Sequence, residues 1–369
     1  MNAHTTSNHL CHVDFTSLEG HTRFPYSLIV SQYSTERVLE KKAEELGIRV
    51  ERPYRLVGLS DYEDEDGLIV AKFENGEKIK TNYVIGADGS RSIVRQLVNI
   101  GFADPDGAPI DDKDVRQMVV ADVTFISPPP HLGRDQVYVH TVNSNVCLAF
   151  PVPRSRYLES YESTADGIYR IGFSIPEEDG PPPSTPDADY FQRYLDKRRP
   201  QFVYAGEEED RVVIDKLLWS SRFRTHAAIA DKCLVRLHAQ NQSEKPSSRP
   251  RVVFLVGDAA HIHSPVGGQG MNLGIRDAIG LAPVLAKHME QFPHNPSSAD
   301  NLLEEYASTR HARAISTIRL TKRAMHSVAA LGSIASGWGK YLMWLVKLVF
   351  KLSFVTAPMM WSLSGLGRV

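Results

Sequence analysis

The residues best equipped for chemistry in this sequence stand together, at the end of an apolar run. Val252 to Val256 is branched and apolar, and it leads straight into Gly257-Asp258-Ala259-Ala260-His261. A glycine after a buried strand lets the backbone turn with little obstruction, and Asp258 then projects two acceptor oxygens suited to the hydroxyls of a ribose or ribityl chain. Residues 265–272 read PVGGQGMN. The glycines of this loop let a planar ring approach the main chain closely. A helix expected from about Met271 turns its free N–H groups and positive dipole end toward negative charge. A phosphate or a carboxylate suits that end equally, so the loop alone does not choose a ligand. Gly257, Asp258, Pro265, Gly268, Gly270, Met271 and Asn272 are the candidate binding residues of this stretch.

Other polar groups nearby have plainer readings. His261 and His263 stand two apart with no third ligand close in sequence, so they read as loop histidines that pack or hydrogen-bond, and no metal site is expected. Arg95, Arg276 and Asp277 read as surface charges or helix-cap partners. The acidic run DYEDED at 61–66 reads as a solvated loop, and His9 and His12 around Cys11 as a frayed tail.

The elements that must position these residues follow from periodicity. Val30 to Leu46 carries Ser/Thr start signals and charges at helical spacing, and Gly47 closes it as a C-terminal stop. Ile48 to Leu59 and Leu68 to Phe73 alternate as strands. Tyr83 opens a short apolar strand that runs into the turn Asp88-Gly89, with a helix starting near Ser92. The segments Val119 to Phe125, Gln136 to Thr141, Val146 to Val152 and Ile168 to Ile175 are β-rich between Pro-rich loops and predict an inserted antiparallel sheet. A helix from Asp187 to about Arg198 and a strand near Arg211 to Leu218 follow. The chain from Leu302 onward reads as helix, and Pro283 is expected to kink or weaken the helix before it by about 3 kcal/mol.

Bulk properties narrow the partners. The 369 residues are 42% hydrophobic, enough for two packed units, and 42 basic against 44 acidic side chains leave a formal charge of -2. That balance argues against a basic nucleic-acid surface and points to a small-molecule partner. Three distant cysteines, Cys11, Cys147 and Cys233, form no disulfide framework or CxxC motif and fit a reducing, cytoplasmic setting. No apolar leader opens the chain. Tyr341 to Leu366 is apolar but broken by Lys347, Lys351 and Pro358. It predicts an amphipathic helix, packed on its own domain or touching a membrane surface, rather than a spanning one. Oligomeric state leaves no trace in the sequence.

The ligand is chosen by resemblance. GDAAHIHSPVGGQGMNLGIRDA, residues 257–278, closely resembles the second FAD fingerprint of the aromatic hydroxylases that include p-hydroxybenzoate and phenol hydroxylases. VIGADGSRSIVR, residues 84–95, resembles the same family's DG motif, with Asp88, Gly89, Ser92 and Arg95 in register. Gln32 stands at the family's helix-start position that faces FAD. The resemblance implies an α/β fold: an incomplete Rossmann-like FAD-binding domain, an inserted antiparallel-sheet substrate domain and a helical C-terminus. On this reading residues 1–100 and 221–300 form the FAD-binding domain, 101–220 the substrate sheet and 301–369 the C-terminal helices. The family's G-x-G-x-x-G, which grips the FAD pyrophosphate, occurs nowhere in this sequence, and residues 1–25 are too short for the βαβ unit that bears it.

The implied activity is FAD-dependent monooxygenation of an aromatic or enolic small molecule in specialised metabolism, with NAD(P)H and O2. Gln32, Asp88 and Gly89 join the binding residues above as cofactor contacts, and no catalytic side chain is singled out. An FAD-dependent dehydrogenase and a truncated non-redox flavin-fold protein remain as alternatives.

Overall fold

The computed structural model describes residues 2–5, 8–12, 15–26, 28–60, 67–107, 116–127, 129, 132, 137–142, 145–153, 167–200, 211–225, 227–237, 250–263, 268–333 and 361. Pro265, the acidic run 61–66 and all of 341–366 except Trp361 therefore lie outside the described residues. In chain order the elements begin with β1 (Asn2–Thr5), β2 (Asn8–His12), α1 (Gln32–Glu45), β3 (Leu56–Ser60), β4 (Ile69–Phe73), β5 (Lys78–Thr81), β6 (Tyr83–Gly86), α2 (Ile93–Leu97) and β7 (Phe102–Ala103). They continue through β8 (Arg116–Phe125), β9 (Tyr138–Val142), β10 (Asn145–Val152), β11 (Ile168–Ile175), α3 (Ala188–Arg198), β12 (Ile214–Thr225), β13 (Ala228–Ala230) and β14 (Leu234–Arg236). The last are β15 (Val252–Leu255), β16 (His261–Ile262), α4 (Gln269–Gln291) and α5 (Pro296–Ser333). The fold is mixed α/β, and it divides into two compact units: Met1–Val50 with Val115–Thr225 and His326–Val369, and Glu51–Asp114 with His226–Met325.

The first unit is built on a seven-stranded sheet in the order β12-β8-β11-β10-β9-β1-β2. Period-two alternation explains it: Val119, Ala121, Val123 and Phe125 of β8 and Tyr169, Ile171, Phe173 and Ile175 of β11 all point to one buried face. Phe191, Tyr194 and Leu195 of α3 pack on that face. Asp187 caps α3, accepting from Tyr190 N at 2.8 Å. The opposite face carries Asp122 and Arg170, paired at 2.7 Å across β8 and β11, with the Arg170 guanidinium 5.5 Å from the Trp219 ring centre. In the same unit Ser31 caps α1, accepting from Ser34 N at 3.1 Å, and Gly47 ends it at φ +76, where its N–H donates to Glu44 O. The N-terminal tail is a correction to the sequence reading. It pairs as β1 and β2, with β1 parallel to β9, because its backbone groups find partners that no local pattern announces.

The second unit holds the parallel pair β6 and β15, with β14 antiparallel on the far side of β15. Beside them stand the three-stranded sheets β3-β4-β5 and β16-β13-β7. Val252 to Leu255 is buried on both faces, as a branched apolar run in a parallel pair requires. The strand expected from Ile48 begins only at Leu56. Helix α4 continues through Pro283, which lies with Ile279, the residue whose carbonyl loses its partner, on an exposed stretch of the helix.

Gly86 closes β6 under tight constraint: a Cβ there would stand 2.8 Å from Leu255 Cδ2 and 2.9 Å from Val94 Cβ. Both neighbours are buried, so neither can swing away. Gly86→Ala is expected to destabilise this unit by about 1–3 kcal/mol through overpacking, read from the midpoint of urea unfolding at unchanged slope.

Candidate functional site

The two glycine turns lie side by side because the strands that feed them are parallel neighbours. Leu255 is in register with Gly86, and Val256 N donates to Gly86 O at 3.0 Å. Both turns therefore leave the sheet at the carboxyl ends of the strands, where open parallel sheets bind ligands.

After β15 the backbone turns at Gly257 with φ +57, a conformation that an L side chain resists. A Cβ on Gly274 of α4 would stand 3.3 Å from Gly257 Cα, so this pair of glycines lets α4 cross directly on the turn. Asp258 is exposed, and no described residue donates to its carboxylate. Helix α4 starts at Gln269 after Gly268, which has φ +62. Its first turn contains no acidic residue, so no carboxylate of that turn offsets the positive end of the 23-residue helix. A Cβ on Gly270 would meet nothing within 4 Å, Met271 is half exposed, and Asn272 Nδ2 donates back to Gly268 O at 3.0 Å.

Beneath the turn lies a buried polar cluster around Asp277, which the sequence reading placed at the surface or at a cap, while His261 was read as a histidine that packs or hydrogen-bonds. The side chains of His261, Asp277 and Arg310 are 5%, 5% and 9% exposed. Asp277 Oδ2 accepts from Gly257 N at 3.1 Å and from His261 Nε2 at 2.6 Å, while Oδ1 accepts from Arg310 Nε at 2.7 Å. Tyr306 adds a hydrogen bond to the Asp277 carbonyl at 2.6 Å. Burial alone would raise the Asp277 pKa, but the hydrogen bond and charge of His261 and the charge of Arg310 outweigh it and hold the group below the usual carboxylate range.

A carboxylate held down in the folded state adds stability above its unfolded pKa of about 3.9, and that stability is lost as pH falls through the folded value. Urea-unfolding midpoints measured downward from about pH 5 are thus expected to drop below about pH 4 in the native protein and less steeply in Asp277→Asn. Among the described residues, the charged and titratable groups facing Asp277 are His261, Arg310, Tyr306 and, through space, Cys233.

Arg95 was also read as a surface or capping charge, and it is likewise buried. Its guanidinium donates to Ala259 O at 2.9 Å and Ser90 O at 2.8 Å, and lies 3.8 Å over the Phe102 ring. It ties the Asp88 turn to the Asp258 turn. Asp88, read as a cofactor contact, places its carboxylate on the start of α2, accepting from Ile93 N at 2.7 Å and Val94 N at 3.1 Å. Gly89 follows at φ +83. Gln32 lies in the first unit, exposed at the start of α1, and its amide donates to Glu36 at 2.7 Å. The structure thus brings Asp88, Gly89, Gly257 and Asp258 to one edge of the sheet, next to the turn of α4 that bears Gly268, Gly270, Met271 and Asn272. A possible signal for the buried cluster was Asp277 lying among the apolar positions of α4, with an arginine to match it on the next helix.

Comparison with known proteins agrees with this geometry. A rifampicin monooxygenase from Streptomyces venezuelae is 30% identical over 305 residues, covering 82% of this chain and 52% of the relative. The pentachlorophenol 4-monooxygenase of Sphingobium chlorophenolicum is 28% identical, covering 86% and 49%. The chain spans about half the length of these curated relatives. The crystal structure of p-nitrophenol 4-monooxygenase PnpA from Pseudomonas putida DLL-E4 shares the fold, with a TM-score of 0.69 at 16% identity, over 99% of this chain and 80% of that one. The model of the FAD binding domain family matches residues 1–205 and 226–321, running through both glycine turns and both helices that flank them. With those turns joined in space at the ends of parallel strands, the chain belongs to the FAD binding domain family.

Proposed function

We propose that this chain carries the flavin-holding core of an FAD-dependent monooxygenase, which hydroxylates an aromatic or enolic small molecule with NAD(P)H and O2 as co-substrates. The observation that carries the reading is an exposed acceptor bonded to no described residue, Asp258, in the turn that α4 crosses at the carboxyl ends of β6 and β15, with no acidic residue in the first turn of α4. These residues fit the cofactor: Asp258 suits sugar hydroxyls, and the open space above Gly270 suits a flat ring brought close to the main chain. Bound there, FAD would supply electron transfer and oxygen activation.

The protein's own part is to hold, orient and charge-balance the ring. Gly257, Asp258, Gly268, Gly270, Met271 and Asn272 would hold it, and the α4 dipole favours negative charge on its reduced form. Gln32, Asp88, Gly89 and Pro265 enter the proposal on the resemblance alone. The substrate is proposed to lie on the sheet face that α3 leaves uncovered, where Trp219 and Phe223 are 40% and 42% exposed with ring centres 6.2 Å apart. Relatives named for pentachlorophenol and p-nitrophenol support an aromatic substrate.

The test is to supply FAD, NADPH and O2 with a panel of phenols, following NADPH oxidation and product mass. Substrate-stimulated oxidation with a product one oxygen heavier is expected. Oxidised product without added oxygen would replace this reading with a dehydrogenase.

A further inference from the structure

We infer that Asp277 is a positioning residue for the cofactor, its carboxylate clamping the Gly257–Asp258 turn to α4 so that the sugar acceptor and the helix N-terminus act as one rigid unit. The inference rests on the FAD reading above. Asp277 sits on α4, two turns beyond the N-terminal residues that face the open site, and its two oxygens work in opposite directions. Oδ2 reaches the turn, accepting from Gly257 N and from His261 Nε2. Oδ1 reaches the next helix, accepting from Arg310 Nε. Arg310 also donates to Leu273 O at 3.4 Å, one turn up α4, so α5 steadies the same stretch of helix.

Asp258 itself has no partner among the described residues to fix it. Its direction is set by the backbone turn at Gly257, and the side-chain contact on that turn's N–H is Asp277. The Gly257–Gly274 contact sets how close the turn and the helix come, while the Asp277 bond resists their sliding or rotating past each other. A ligand that needs both ends of the site at once loses affinity when this coupling is loosened, even if the fold survives. The short His261 bond has the same logic, because it holds the Oδ2 side of the carboxylate toward the turn.

The experiment uses the full chain and compares FAD affinity, by quenching of flavin fluorescence, with the stability of the FAD-free protein. Asp277→Asn sets an amide donor against donors on one of its two sides, so FAD is expected to bind about tenfold or more weakly. The visible band of the flavin at saturation is expected to change shape. Leu303→Ala, which opens a cavity in the core of the same unit and removes none of the Asp277 bonds, is expected to lower stability while leaving FAD affinity within about threefold. If Asp277→Asn does not fold, the His261 pair reads the same clamp: His261→Phe should weaken FAD binding and His261→Gln, which keeps a donor near Nε2, should restore it.

A wild-type chain that binds FAD while Asp277→Asn binds it equally well, with an unchanged band, overturns the inference and leaves the FAD reading standing. Affinity that simply follows stability across all the variants also overturns it, since Asp277 would then be structural only. A wild-type chain that takes up no FAD overturns both.

Discussion

Arg310→Ala is expected to cost about 3–5 kcal/mol of folding stability, the loss typical of breaking a buried ion pair from one side. Arg310 and Asp277 are both buried, and the guanidinium approaches Oδ1 to 2.6 Å through Nη2 and 2.7 Å through Nε. Truncation leaves the carboxylate with His261 and the Gly257 amide but removes its charge partner in a place water does not reach. The loss should appear as a lower denaturation midpoint in both heat and urea. Joint replacement by apolar residues, Asp277→Leu with Arg310→Met, should recover part of it, because no charge is then left unpaired. Recovery stays incomplete, since the His261 and Gly257 donors still lose their acceptor.

Asp258→Ala is expected to have the opposite profile: a large effect on FAD and almost none on the fold. Asp258 is exposed and bonded to no described residue, so its removal should change stability by no more than about 0.5 kcal/mol. In the proposed complex its carboxylate accepts sugar hydroxyls. Losing such charge-assisted bonds, at about 1.5–3 kcal/mol each, weakens FAD by about tenfold to a hundredfold. Asp258→Asn keeps one acceptor oxygen and should fall between. Fluorescence titration of the variants, paired with their melting curves, checks both halves of the expectation. A parallel loss of stability and affinity would mean that Asp258 supports the turn rather than the ligand.

The difference between these two residues also explains what the sequence could disclose. The place of Asp258, exposed at the turn after a buried strand, was legible because it follows a fully apolar run and a glycine, and both signals are local. The same holds for α1, bounded by Ser31 and Gly47, and for β8, β10 and β11, whose alternation survives burial on one face. Asp277 and Arg95 were not legible. Pattern reading assigns charged residues to the surface or to helix ends, and only three-dimensional packing brings Arg310, 33 residues along the chain, onto Asp277, or Ala259 onto Arg95 164 residues away. Asp88 shows a related limit. A carboxylate after a strand can meet a ligand or the start of the next helix, and nothing local announced that Asp88 accepts from the N–H groups of Ile93 and Val94. The N-terminal strands escaped the sequence for a third reason: the strand that joins the β1-β2 pair to the sheet is β9, more than a hundred residues distant, and polar residues at 2–12 give no hydropathy signal of their own.

The most direct measurement is titration of the 369-residue chain with FAD, following flavin fluorescence and the visible spectrum together. The expected result is saturable quenching that reaches one FAD per chain, with a structured visible band unlike that of free FAD, and both lost on Asp258→Ala. Fluorescence that stays at the level of free FAD throughout the titration, with an unshifted spectrum, would contradict the assignment of this site to a flavin.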